Sequence, residues 1–231
     1  MARRVNATLG AVSDRYPWLG PIIFVSSSLY FFAQIAVAWV FHPAYSVIDN
    51  SISDLGNTTC GLYGGNEVCS PRHVLMNVAF VFLGLVMASG SMLLYQEFAG
   101  RQRAERLAAR VGFGCMAIGG AGTVLVGVFP ENTSHVMHVT GAALAIGVGN
   151  LGIFVLGAVL RLPESMRRYM LVFSTVSVTA LFLFASHKSF GIGPGTTERI
   201  AAYPETVWLI SFGLYVWRFH PKNEPVVAAG A

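Results

Sequence analysis

Six apolar runs organise this chain: Trp18 to Phe41, His73 to Tyr95, Leu107 to Val128, His138 to Leu160, Tyr169 to His187 and Tyr203 to Phe219. Each is about 17 to 24 residues, enough to cross a hydrocarbon core of about 30 Å at about 1.5 Å per residue. Inside hydrocarbon a chain must satisfy its own backbone groups, and runs of this length do so as helices. The sequence therefore predicts an all-α fold, a polytopic bundle of six transmembrane helices. The loops are too short for a separate soluble domain, so residues 1–231 form a single membrane domain. The hydrophobic fraction of 54% and the charged fraction of 11% agree.

Charge orients the bundle. Twelve of the fifteen Lys and Arg residues (Arg3, Arg4, Arg15, Arg101, Arg103, Arg106, Arg110, Arg161, Arg167, Arg168, Arg218 and Lys222) fall before the first run, in alternate loops or the run ends beside them, or at and after the end of the last. The opposite loops hold only Arg72, Lys188 and Arg199. The positive-inside rule then places both termini in the cytoplasm and the other three loops outside. The net charge of +4 is accounted for by these arginines beside helix ends, so nucleic acid is not an expected partner and anionic membrane lipid is. The first 17 residues are basic and polar with no small-residue cleavage site, which predicts an uncleaved first helix.

Small residues predict where helices touch, because packing replaces the hydrophobic effect inside lipid. The third run carries Gly119, Thr123 and Gly127 and the fourth Gly141, Ala145 and Gly149, both at four-residue spacing. These stripes are expected to meet across adjacent antiparallel helices. Gln34, Asn77 and Asn150 lie within runs and must find hydrogen bonds across helices.

Five of the six histidines sit on the side opposite the arginines. There the longest loop, 42–72, carries Cys60 and Cys69, predicted to form a disulfide in an oxidising compartment. Asp54, His73, His138, His187, Glu198, Arg199 and Glu205 gather at the same interface and form the candidate ligand-binding set. Asp54, His138 and Glu205 are the candidates for acid/base chemistry. His135 and His138, three apart on one helical face, could hold a transition metal such as zinc, although no signature as tight as HExxH is present. In SHKSFGIGPGTTERIAAYPETVW, Thr196 or Thr197 is expected to cap a helix with Glu198 and Arg199 in its first turn. Glu205 follows about two turns later, at a depth where an acid needs a partner.

Three segments carry a resemblance: HPAYSVIDNSISDLG, GVFPENTSHVMHVTGA and GTTERIAAYPETVWLI. With the six runs they resemble the prokaryotic membrane proteins grouped as domain of unknown function 998. The matching residues are Ser53, Asp54, Leu55, Gly56, Phe129, Pro130, His138, Glu198 and Arg199. The resemblance implies six helices with motif residues on one side, and it implies no activity. The Cys60 to Cys69 insert stands outside that pattern.

Several membrane functions lack their residues. Hemes on both faces need axial ligands on both, and His220 alone falls on the cytoplasmic side; no run contains a lysine for retinal; no GxxxxGK[ST] loop is present. Three readings remain. An outward site could bind a lipid headgroup or small polar solute, for transport or sensing. A membrane-embedded hydrolase or transferase could act on lipid at the outer leaflet through a histidine and a carboxylate, with or without a metal. A non-catalytic accessory subunit could use the polar cap for assembly.

Overall fold

The computed structural model describes residues 2–219, with side chains from residue 7 onward. His220 and Lys222, and the side chains of Arg3 and Arg4, which helped to orient the sequence, lie outside the described residues. Among the described residues nine α-helices follow in order: α1 (Ala2–Arg15), α2 (Leu19–Ser26), α3 (Leu29–Ala38), α4 (His73–Phe98), α5 (Arg103–Val128), α6 (His135–Ala142), α7 (Gly149–Val159), α8 (Glu164–Ala185) and α9 (Pro194–Phe219). A 3₁₀ turn spans Ser53–Gly56, and a hairpin of β1 (Gly61–Tyr63) and β2 (Asn66–Val68) occupies the long loop. Among the described residues five stretches are long and apolar enough to cross a membrane: Leu19–Ala38, His73–Phe98, Arg103–Val128, His135–Val159 and Glu164–Ala185. The chain is an all-α polytopic membrane protein. Helix α9 matches α4 and α5 in length but carries Glu198, Arg199 and Glu205, and it is not among those five.

Three departures from the sequence reading have local causes. The first run breaks at Ser27 and Ser28, where Ser26 and Ser27 donate their hydroxyls to the carbonyls of Ile23 and Phe24 and compete with the helix ladder. The fourth run starts at His135 and passes through a π-helical segment, Ala143–Val148, before α7. The last helix begins at Pro194, where the missing N–H and fixed φ suit a first helical residue, and continues through Pro204. Glu198 and Arg199 thus lie in its second turn, and Thr197 donates its hydroxyl to the carbonyl of Gly193 rather than capping.

Helix α5 is central and glycine-lined on two faces. Toward α4, a Cβ at Gly120 would stand 2.5 Å from the Gly84 carbonyl oxygen, and one at Gly127 2.5 Å from that of Asn77. Toward the fourth run, Gly122 faces Gly141, Gly119 faces Ala145 and Gly149, and Gly112 faces Gly152 and Leu156. The expected contact is present at Gly119, Gly141 and Gly149, while Gly127 packs on α4 instead. Backbone meets backbone here, and no rotamer change can make room for a methyl group.

Cys60 and Cys69 are disulfide-bonded and close the hairpin, whose turn uses Gly64 and Gly65 at positive φ. His42 donates its backbone N–H to the Cys69 carbonyl, tying the hairpin to the end of the first run.

Gly120→Ala and Gly122→Ala should each destabilise the protein by about 2 to 3 kcal/mol, since the added methyl forces two backbones apart. Gly114→Ala, which meets open space, should be neutral or stabilising by up to about 1 kcal/mol. Thermal unfolding of the three variants in one detergent checks the contrast.

Candidate functional site

The site begins with a capping box. Ser51 and Asp54 bond reciprocally: the Ser51 backbone N–H donates to Asp54 Oδ2 at 3.0 Å, and the Asp54 N–H donates to Ser51 Oγ at 3.0 Å. Asn50 Nδ2 donates to the same Oδ2 at 3.0 Å. Burial raises the Asp54 carboxyl above its ordinary range, and these donors pull it partly back. Asp54 therefore fixes the start of the Ser53–Gly56 turn, and its carboxylate is committed to that task.

The turn is held against α9 by Arg199, which is 7% exposed. One of its terminal nitrogens donates to the carbonyls of Val47 (3.0 Å), Asn50 (2.9 Å) and Gly195 (2.8 Å), and the other donates to the Tyr45 hydroxyl. Tyr45 donates in turn to the Ser51 carbonyl at 2.7 Å. The GIGPG segment permits this approach. Gly193 has φ +86° and presses on the Ile48 carbonyl, and a Cβ at Gly195 would stand 2.2 Å from the Asn50 carbonyl oxygen.

So placed, Ser53 meets a histidine. Ser53 Oγ lies 2.7 Å from His138 Nε2, and His138 Nδ1 lies 2.9 Å from the Phe129 carbonyl oxygen. A carbonyl only accepts, so Nδ1 carries the proton, Nε2 presents a lone pair, and the Ser53 hydroxyl donates to it. Glu198 takes the Ile52 backbone N–H at 2.5 Å through Oε2, while its Oε1 stands 3.5 Å from Ser53 Oγ. The hydroxyl has one proton, and the shorter, better partner is the imidazole.

Behind this pair lies a cavity of about 60 Å³. Ser53, His138 and Glu198 line it together with Glu205 and Thr206 deeper along α9, and Phe80, Met87 and Val126 are among its apolar walls. Glu198, Ala202 and Glu205 share one face of α9, four and three residues apart, and His138, Ala142 and Ala145 repeat the pattern opposite. Glu205 is 5% exposed and its Oε1 has no hydrogen-bond partner. That oxygen rests against Gly149, where a Cβ would stand only 2.0 Å away.

Of the residues singled out from sequence, His138, Glu198 and Glu205 line the cavity, and Asp54 and Arg199 hold the segment that carries Ser53. His73 gives its Nδ1 to the Ser70 carbonyl at 3.0 Å, outside the cavity. His135 is exposed in the first turn of α6, and His187 is exposed at φ +55° after α8. Both ring nitrogens of His138 are engaged, and among the described residues no three His, Cys, Asp or Glu side chains are placed to share a metal ion. Ser53 was visible in the sequence only as a motif residue. The signal that marks it is the Ser51-x-x-Asp54 capping box, which fixes the serine between them.

Arg199→Lys replaces a planar fork that serves four acceptors with a single ammonium, leaving buried carbonyls unpaired. A loss of about 3 kcal/mol is expected, with the 45–54 segment opening to proteolysis before the helices do; limited proteolysis with mass spectrometry checks the order.

No curated protein and no solved structure matches this chain. A family model described as "Protein of unknown function (DUF998)" matches residues 25–215, which include α9 through Tyr215 and every residue of the site, and the chain belongs to that family.

Proposed function

We propose that this protein is a membrane-embedded hydrolase or transferase acting on lipid at the outer leaflet, with Ser53 as nucleophile and His138 as general base. The observation that carries the reading is the 2.7 Å contact between Ser53 Oγ and the unprotonated Nε2 of a histidine whose Nδ1–H is pinned by a backbone carbonyl. This is the arrangement an activated serine needs: base within hydrogen-bond reach, base oriented by a third group. Ser53 Oγ would attack an acyl or phosphoryl centre while His138 Nε2 takes its proton. The imidazolium would return that proton to the leaving oxygen or nitrogen. Water or a second alcohol, activated by the same imidazole, would release the product and restore Ser53.

The membrane placement belongs to the same reading. Helix α9 serves as a sixth span. Its 26 residues rise about 39 Å, it packs between α2 and α8, and its acids face the cavity rather than lipid. With both termini cytoplasmic, the arginine-bearing turns after α4 and α7 face inward and the disulfide hairpin faces an oxidising exterior.

A second reading, a site that binds a headgroup or small polar solute without turning it over, draws support from the unpartnered Glu205 oxygen.

A fluorophosphonate probe separates the two. Wild-type protein in detergent should be labelled on Ser53, Ser53→Ala should not be labelled, and His138→Ala should react about 10² to 10⁴ times more slowly. Absence of labelling, or labelling indifferent to His138, would favour binding alone.

A further inference from the structure

The cavity's deeper end has a chemistry that the serine and histidine do not use. Glu205 is almost wholly buried, and its Oε1 accepts from nothing. Among the described residues no Lys, Arg or His stands within ion-pair distance of Glu205, Glu198, Asp54 or Glu131. Arg199, the cation nearest in sequence, is occupied by three carbonyls and Tyr45. The cavity is lined by two carboxyl groups, Glu198 and Glu205, and by no Lys or Arg. Burial and, after it, the neighbouring Asp54 raise the Glu131 carboxyl above its ordinary range, with His135 opposing.

The surroundings of Glu205 suit a cation better than a neutral donor. A buried acid without a partner is costly, and a positive charge relieves that cost most. Tyr30 and Phe80, 5.5 Å apart between ring centroids, line the same cavity and offer aromatic surface to a positive group. The space is small: about 60 Å³ in a measure where one water needs about 10 to 15 Å³ holds a compact head but no acyl chain. Gly149 keeps this room open, since any side chain there would displace the carboxylate.

We infer that the cavity is a binding site for a primary ammonium group, held by Glu205 and presented by an amphiphile whose chain remains outside the cavity. The ammonium site rests on the Glu205 carboxyl and not on the Ser53 hydroxyl, although both line the cavity. Its further assignment as the substrate's amine rests on the proposed catalytic pair, and it names the substrate class as an amine-bearing lipid with a scissile ester, amide or phosphoester within reach of Ser53.

The test is the thermal stability of the full-length protein in a neutral detergent, titrated with octylamine hydrochloride, 1-octanol and sodium octanoate. Octylammonium should raise Tm saturably, with octanol weaker by at least tenfold in apparent affinity and octanoate without effect. Glu205→Gln should weaken octylammonium at least tenfold. Equal stabilisation by octanol or octanoate, or a Glu205→Gln variant that keeps the full response, would overturn the site. If Glu205→Gln does not fold, the three-probe comparison on wild-type protein decides alone. An ammonium response together with failed fluorophosphonate labelling would retain the site and remove the hydrolase reading; labelling without the response would do the reverse.

Discussion

The guanidinium of Arg199 is the contact on which the site's geometry depends. Of the apolar side chains in residues 45–54, Val47 and Ile48 are exposed, and the carbonyls at Val47 and Asn50 accept from Arg199. Arg199 satisfies both, takes the Gly195 carbonyl of its own helix, and bonds the Tyr45 hydroxyl. Tyr45 then reaches the Ser51 carbonyl, and Ser51 caps the turn that displays Ser53. A lysine has the charge but not the planar set of donors this requires. Arg199, a member of the ligand-binding set drawn from sequence, thereby serves the structure of the segment. The cavity beside it is lined by the carboxyl groups of Glu198 and Glu205 and by no Lys or Arg.

The bundle beneath is built so that α9 can present acids inward. Glycines on two faces of α5 bring α4 and the fourth run within backbone contact. Gly149 belongs to this packing through Gly119 and also faces the Glu205 carboxylate. One small residue therefore serves helix association on one side and leaves space for the acid on the other. The π-helical segment just before it, Ala143–Val148, supplies Ala145 and Ile146 to the cavity wall. Such segments add a residue to the local turn and are frequent where a helix must serve a site.

Hydropathy made the helices legible, because a lipid-crossing run has to be long and apolar whatever its neighbours. It did not show the break at Ser27, the π segment or the Pro194 start, each of which depends on a hydroxyl, a register or a proline acting over a few residues. His138 and Glu198 were legible as polar side chains at the outer interface, and Glu205 as an acid at a depth where polarity is expensive. His135 shares a face with His138 by spacing, yet it sits in the first turn of α6 and remains exposed. Spacing along a helix says which residues share a face and not how far down the bundle that face becomes buried. Asp54 was legible as an acid but not as a cap, because the sequence does not say whether its oxygens turn toward Ser51 or toward a ligand.

Ser53 illustrates the opposite difficulty. A serine carries no charge, costs little anywhere, and gives no signal by composition. Its significance comes from two constraints far apart in the chain. The capping box sets the serine's place on the turn, and the Phe129 carbonyl sets the tautomer of the histidine that faces it. Neither constraint involves Ser53 itself. If the Phe129 carbonyl were turned away, the imidazole could carry its proton on Nε2, and Ser53 would face a donor instead of a base. The chemistry of the pair is therefore decided by a backbone carbonyl in the FPENTSH loop, and the segments that carry the serine, the carbonyl and the acid are the three through which the family likeness was first legible.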